Sequence, residues 1–155
     1  MQFRADDVAA MRQALEYARQ SLLAEGDDVP VGAVLLDSSG SLISASTNRR
    51  EELTDPTAHA EVVVLREAAL VLGDTHLTGC TLVVTLEPCP MCAGAAALAR
   101  VERVVFGAWN PDYGAAGSTW DLLRDRRLAH RPEVVGGVLA DECGQVVKDF
   151  FARRR

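Results

Sequence analysis

The sequence predicts an α/β architecture in which a mixed sheet carries helices on both faces. Three observations lead there. Segments with helical spacing of apolar residues alternate with short apolar runs of strand length. The first two runs are joined by a four-residue turn, Asp37-Ser38-Ser39-Gly40, which makes them antiparallel neighbours. The later runs are separated by segments long enough for crossovers, which fits parallel pairing. A chain of 155 residues, 48% hydrophobic and 25% charged, fits one core, so residues 1–155 read as a single domain.

The elements follow in order. Val8, Met11, Leu15, Ala18 and Leu22 recur at spacings of three and four and predict a helix over 5–25. Gly26-Asp27-Asp28 closes it. VGAVLL predicts a strand over 31–36, and a second strand follows the turn over 42–47. The polar stretch 49–56 ends in Asp55-Pro56, a loop before a helix expected over 58–72 and stopped by Gly73. CTLVVTL predicts a buried strand over 80–86, and Pro88 and Pro90 bracket the turn into a small-residue helix over 90–99. A strand over 103–107, a glycine-rich loop over 107–118, a short helix near 119–124, a strand over 134–138 and a helix over 139–152 complete the chain.

No run of about 18 apolar residues is present, so no membrane span is expected. The first residues lack a basic stretch followed by an apolar core, which makes the cytoplasm the expected compartment. There, four cysteines point to metal or redox chemistry rather than disulfides. The net charge is −6, but residues 1–80 carry −7 and residues 81–155 carry +1. Fifteen of the sixteen basic residues are arginine, which suits bidentate phosphate contacts. A solvated surface accounts for the same charges equally well.

The chemistry concentrates in His59-Ala60-Glu61 and Pro88-Cys89-Pro90-Met91-Cys92. One imidazole and two thiolates supply three ligands for a tetrahedral zinc and leave a fourth position for water, as in catalytic sites. Glu61 is not needed as a ligand and is free to move a proton. Both segments fall where helices are expected to begin, and a helix N-terminus favours the thiolate form. A C-x-x-C on its own also fits a structural zinc half-site or a redox pair. A structural site needs a fourth ligand, for which Cys80, His76 and Cys143 are the candidates, although none has a partner at ligand spacing. Glu87 reads as tied into the backbone around the cysteine loop. Trp109 and Trp120 read as stacking or packing residues, and Tyr113, in a Gly/Pro-rich loop, as a contact residue.

On these residues the chain resembles the bacterial tRNA-specific adenosine deaminases of the cytidine deaminase-like superfamily. The matching stretches are VPVGAVL at 29–35, Asn48, DPTAHAE at 55–61, TLEPCPMCAGA at 85–95, RVVFGA at 103–108, GAAGS at 114–118, LADEC at 139–143 and DFF at 149–151. The resemblance implies a three-layer α/β/α cytidine deaminase-like fold around a five-stranded mixed sheet. It implies a homodimer with its site at the subunit boundary, and conversion of the wobble adenosine in an arginine tRNA anticodon stem-loop to inosine. His59, Cys89 and Cys92 would hold Zn2+ and Glu61 would shuttle the proton. Asn48 would hydrogen-bond the flipped adenine; on its residue type alone it is a strand-end turn residue. Val29 and Pro30 would wall the pocket. The loop near 109–117, with Asn110, and the C-terminal arginines would meet the anticodon nucleotides. Family members often carry Asp and then Lys in this loop, where this chain has Asn110 and Asp112. An amide still donates and accepts hydrogen bonds and repels phosphate less, whereas Asp112 repels it more.

A free nucleobase or nucleoside deaminase acting on guanine, cytosine or cytidine would use the same zinc, acid and fold. An inactive zinc domain docking on RNA is a third reading. Deleting Arg153–Arg155 separates the first two, and Glu61→Ala isolates the third.

Overall fold

Strand pleating decides how this chain assembles, because alternate side chains of each strand go to opposite faces of the sheet. The computed structural model describes residues 2–154. Helix α1 (Ala5–Leu23) leads to strands β1 (Gly32–Leu36) and β2 (Leu42–Thr47), helix α2 (Ala60–Leu72), β3 (Thr81–Leu86), α3 (Pro90–Leu98), β4 (Arg103–Ala108), β5 (Glu133–Val135) and α4 (Ala140–Ala152). The sheet order is β2-β1-β3-β4-β5. β1 pairs antiparallel with β2 and β3, while β3–β4 and β4–β5 are parallel. The expected mixed sheet is therefore present, with the hairpin at one edge and the crossovers at the other.

Val34, Val83 and Val105 stand opposite one another across the register and pack with Met11, Leu15 and Val146 of α1 and α4. Leu35, Leu82, Val104 and Phe106 face the other way, against Val64 of α2 and Ala96 of α3. Two helices cover each face, which makes three layers. Gly32 lets α1 lie directly on the sheet, since a Cβ there would overlap the backbone of Ala14. Arg103 ties the N-terminal edge together: its guanidinium donates to both carboxylate oxygens of Asp7 at 2.8 Å and to Glu133 at 2.8 Å. Among the described residues, no helix is long and apolar enough to cross a membrane.

Two elements differ from expectation. The helix expected near 119–124 is a single 3-10 turn, Leu122–Arg124. The preceding residues are folded into the glycine-rich loop instead, with the Thr119 and Trp120 N–H groups both bonded to the Gly114 carbonyl. The last strand covers Glu133–Val135 rather than 134–138. Gly137 adopts a positive φ of 89°, and its N–H and that of Val138 both turn to the Phe106 carbonyl.

Candidate metal centre and substrate cavity

The site forms at the carboxyl end of β3, where ligands commonly bind in sheets of this kind. Helices α2 and α3 both begin there. His59 is the N-cap residue of α2 and Cys89 that of α3. Each has an extended backbone, and neither side chain caps its helix, so both are turned to the site. Pro90 fixes the first turn of α3: its locked φ suits a helix start and its missing N–H has no role there. Cys92 follows one turn on and is fully buried.

The sulfurs of Cys89 and Cys92 lie 3.6 and 3.4 Å from His59 Nδ1. All three donor atoms fall within 4.8 Å of one another. Among the described residues no fourth His, Cys, Asp or Glu joins the cluster. Cys80 precedes the opposite end of β3, Cys143 is buried in α4 on the far face, and His76 is exposed beyond α2. A cluster of two sulfurs and one imidazole nitrogen fits zinc by donor type and by number, and three donors is the count of catalytic sites.

Without metal, the hydrogen bond between the cysteines pulls the Cys89 thiol down to about 4 and pushes the Cys92 thiol up, where burial adds to the rise. The two sulfurs then hold one proton between them. The contact with Cys89 also raises the His59 imidazole. Glu61, in the first turn of α2, is 5% exposed. Burial pushes its carboxyl above the usual range, outweighing the hydrogen bonds that favour its charged form.

Glu61 and His59 open into a cavity of about 730 Å³. Val29, Val31 and Leu86 give it an apolar wall, and Asn48 and Asn110 give it amides. Arg50, Tyr113 and Trp120 are exposed at its edge. Asn48 donates from Nδ2 to the Val29 carbonyl at 3.2 Å, and its Oδ1 accepts from the Arg50 N–H at 3.2 Å. One N–H and one lone pair of that amide are left for a ligand. Asn110 Oδ1 accepts from the N–H groups of Asp112 and Tyr113, which leaves its Nδ2 end for a ligand.

Pro30 corrects the expectation for the wall: it is buried and does not line the cavity. The Val31 N–H bonds the Val29 carbonyl at 2.9 Å, a three-residue turn with Pro30 at its apex. Val29 and Val31 therefore reach the cavity together, and Val31 takes the place expected for Pro30. Two of the C-terminal arginines, Arg153 and Arg154, also lie elsewhere. Arg154 donates to the Gly26 carbonyl at 2.7 Å, pairs with Asp27 and stacks on Phe150, while Arg153 donates to the Leu22 carbonyl. Both close the end of α1, and Arg155 lies outside the described residues. Trp109 is half exposed and packs edge-on against Phe106. Glu87 is tied to segment 110–118 rather than to the cysteine turn. No spacing signal announces this, since three of its four donors are main-chain groups distant in sequence.

A family model described as the cytidine and deoxycytidylate deaminase zinc-binding region matches residues 4–108. Together with the three-donor cluster at two helix starts, this defines the class: a zinc-binding deaminase fold of the cytidine deaminase type. A Bacillus subtilis tRNA-specific adenosine deaminase is 46% identical over 149 residues, covering 96% of this chain and 91% of that protein. A Deinococcus deserti protein named tRNA(Ile)-lysidine synthase is 51% identical over 146 residues, and the chain spans only 27% of its length. A solved structure from work on A-to-I editing by tRNA:A34 deaminases superposes with a TM-score of 0.83 at 42% identity, covering 89% of this chain and 98% of that one. The chain belongs to the tRNA-specific adenosine deaminase family.

Proposed function

We propose that residues 1–155 act as one deaminase unit that hydrolyses adenosine to inosine at the wobble position of a tRNA anticodon and releases ammonia. The reading is carried by one observation: a buried carboxylate and the His59 and Cys89 members of a three-donor cluster line the same cavity, whose edge carries exposed aromatic side chains. His59 Nδ1 and the sulfurs of Cys89 and Cys92 would hold the zinc. Bound there, it supplies a Lewis acid that makes a water molecule nucleophilic at neutral pH.

Glu61 does the proton work. It accepts the proton that the water loses as its oxygen bonds to adenine C6, and passes a proton to ring N1. It then takes the proton of the new C6 hydroxyl and delivers it to the amino nitrogen, so that the C6 carbonyl forms as ammonia leaves. Burial suits the role, because a carboxyl whose neutral form is favoured can hold a proton between steps. Val29 and Val31 give a flipped base an apolar wall, with Pro30 supporting them from behind. The free ends of the Asn48 and Asn110 amides serve the base edge and the adjoining nucleotide. Tyr113 and Trp120 offer stacking faces to unpaired bases.

The names of the relatives support RNA over a free base, and we assign an arginine tRNA as the substrate, in the cytoplasm. A homodimer accords with the apolar side chains left exposed on α2 and α3, where Leu70 and Leu98 are 84% and 82% exposed. The test is incubation of the zinc-loaded protein with an anticodon stem-loop starting with A, in parallel with guanine, cytosine and cytidine. Inosine at the first anticodon position is the expected product. Ammonia from a free base with the stem-loop intact would replace this reading with a small-molecule one.

A further inference from the structure

Glu87 lies between β3 and the cysteine turn and is 2% exposed, yet neither the metal cluster nor the proton path uses it. Its Oε1 accepts from the Asn110 N–H at 3.0 Å and the Ser118 hydroxyl at 2.6 Å. Its Oε2 accepts from the N–H groups of Ala116 and Ser118, both at 3.0 Å. All four donors belong to one segment, 110–118, whose middle residues Gly114–Ala116 are buried. That segment brings Asn110 and Tyr113 to the cavity and leads on to Trp120. Gly114 is shaped to this contact, because a Cβ there would overlap the Glu87 carboxyl and the Ser118 hydroxyl. At the same place the Ala115 N–H bonds the Pro88 carbonyl at 2.7 Å.

We infer that Glu87 is a positioning residue for substrate recognition: it anchors segment 110–118 so that Asn110, Tyr113 and Trp120 form a fixed rim for the nucleotides beside the target base. The inference rests on the RNA reading above. A loop held in its binding shape loses less freedom when substrate arrives, so the anchor acts on binding. The zinc donors and Glu61 are carried by the starts of α2 and α3, so chemistry depends on the anchor far less.

Glu87→Gln tests this in the zinc-loaded full chain. Each carboxylate oxygen faces two donors, so the new NH2 must oppose at least one main-chain N–H. The hydroxyl can rotate to accept, which makes the Oε1 side the less costly place and the Asn110 N–H the bond that is lost. The KM for an anticodon stem-loop should rise roughly tenfold, the cost of about one such bond, with kcat within about twofold and zinc content unchanged. The chain's two tryptophans, Trp109 and Trp120, flank the segment, so acrylamide should quench their fluorescence more strongly in the variant.

Ser118→Ala removes a single donor and should move KM and quenching in the same direction by less; it carries the test if Glu87→Gln does not fold. Unchanged KM and quenching in folded, zinc-replete variants would overturn the inference, as would a fall in kcat at constant KM. If the unaltered protein leaves the stem-loop untouched, the RNA reading fails, while the quenching comparison still decides whether Glu87 anchors the loop.

Discussion

His59, Cys89 and Cys92 each do one thing that local preference alone would not select. Two of them occupy N-cap positions without capping, and the third is a thiol buried in a first helical turn. The loss of caps, about 1 kcal/mol each for a good capping residue, is the cost of aiming donors at a common point. Removing a donor should show this directly: Cys92→Ser or His59→Ala should come off purification with little zinc by elemental analysis, and with correspondingly little turnover. The same donors make zinc affinity pH-dependent. The metal-free cysteine pair holds one proton, on Cys92, and the His59 imidazole is raised, so protons compete with zinc for these two atoms. Affinity should therefore fall as pH drops below neutrality and recover on return, as a chelator-competition titration would show. Flat affinity across that range would mean that other groups hold the metal. These three donors were legible from residue type and spacing because a short motif fixes their chemistry. The place of Pro30 was not, because the turn at 29–31 is set by a main-chain hydrogen bond that leaves no mark on residue identity.

Elements were legible where hydrophobic period and punctuation agree. The stripe of α1, the turn at Asp37–Gly40 and the proline entry to α3 all stand where the sequence puts them. Boundaries slipped where tertiary bonds override local pattern. The expected helix after Ser118 yields to hydrogen bonds that close on Gly114, and β5 stops at the glycines that turn the chain toward Phe106. The Asp7–Arg103–Glu133 cluster was also invisible in sequence, since its members are separated by 96 and 30 residues. It joins α1 to two parallel strands, with the Asp7 side chain only 6% exposed. Asp7→Ala leaves a guanidinium with half its partners in a shielded place. It should lower stability by about 3 kcal/mol, seen as a fall in Tm of roughly 10 °C. A change under about 1 kcal/mol would show that Glu133 alone satisfies Arg103.

For the whole molecule, charge is where sequence reading reached least far. Arginine content pointed to phosphate, but many of those arginines are already paired within the fold. Arg124 sits with Asp121, Arg127 with Asp125 and Arg154 with Asp27, so their free positive field is smaller than the count implies. Phosphate contacts still release counterions, so tRNA binding should weaken as salt rises, with a shallow slope for a chain of net charge −6. A salt-independent affinity would point to a small uncharged substrate. The proposed reaction rests on one requirement, that the buried Glu61 carboxylate moves protons beside the bound metal. The most direct test compares the unaltered protein with Glu61→Ala on the same A-starting anticodon stem-loop, at equal zinc content and in single turnover. Inosine should form with the former and fall by roughly two to four orders of magnitude with the latter. Comparable inosine from both would contradict the account.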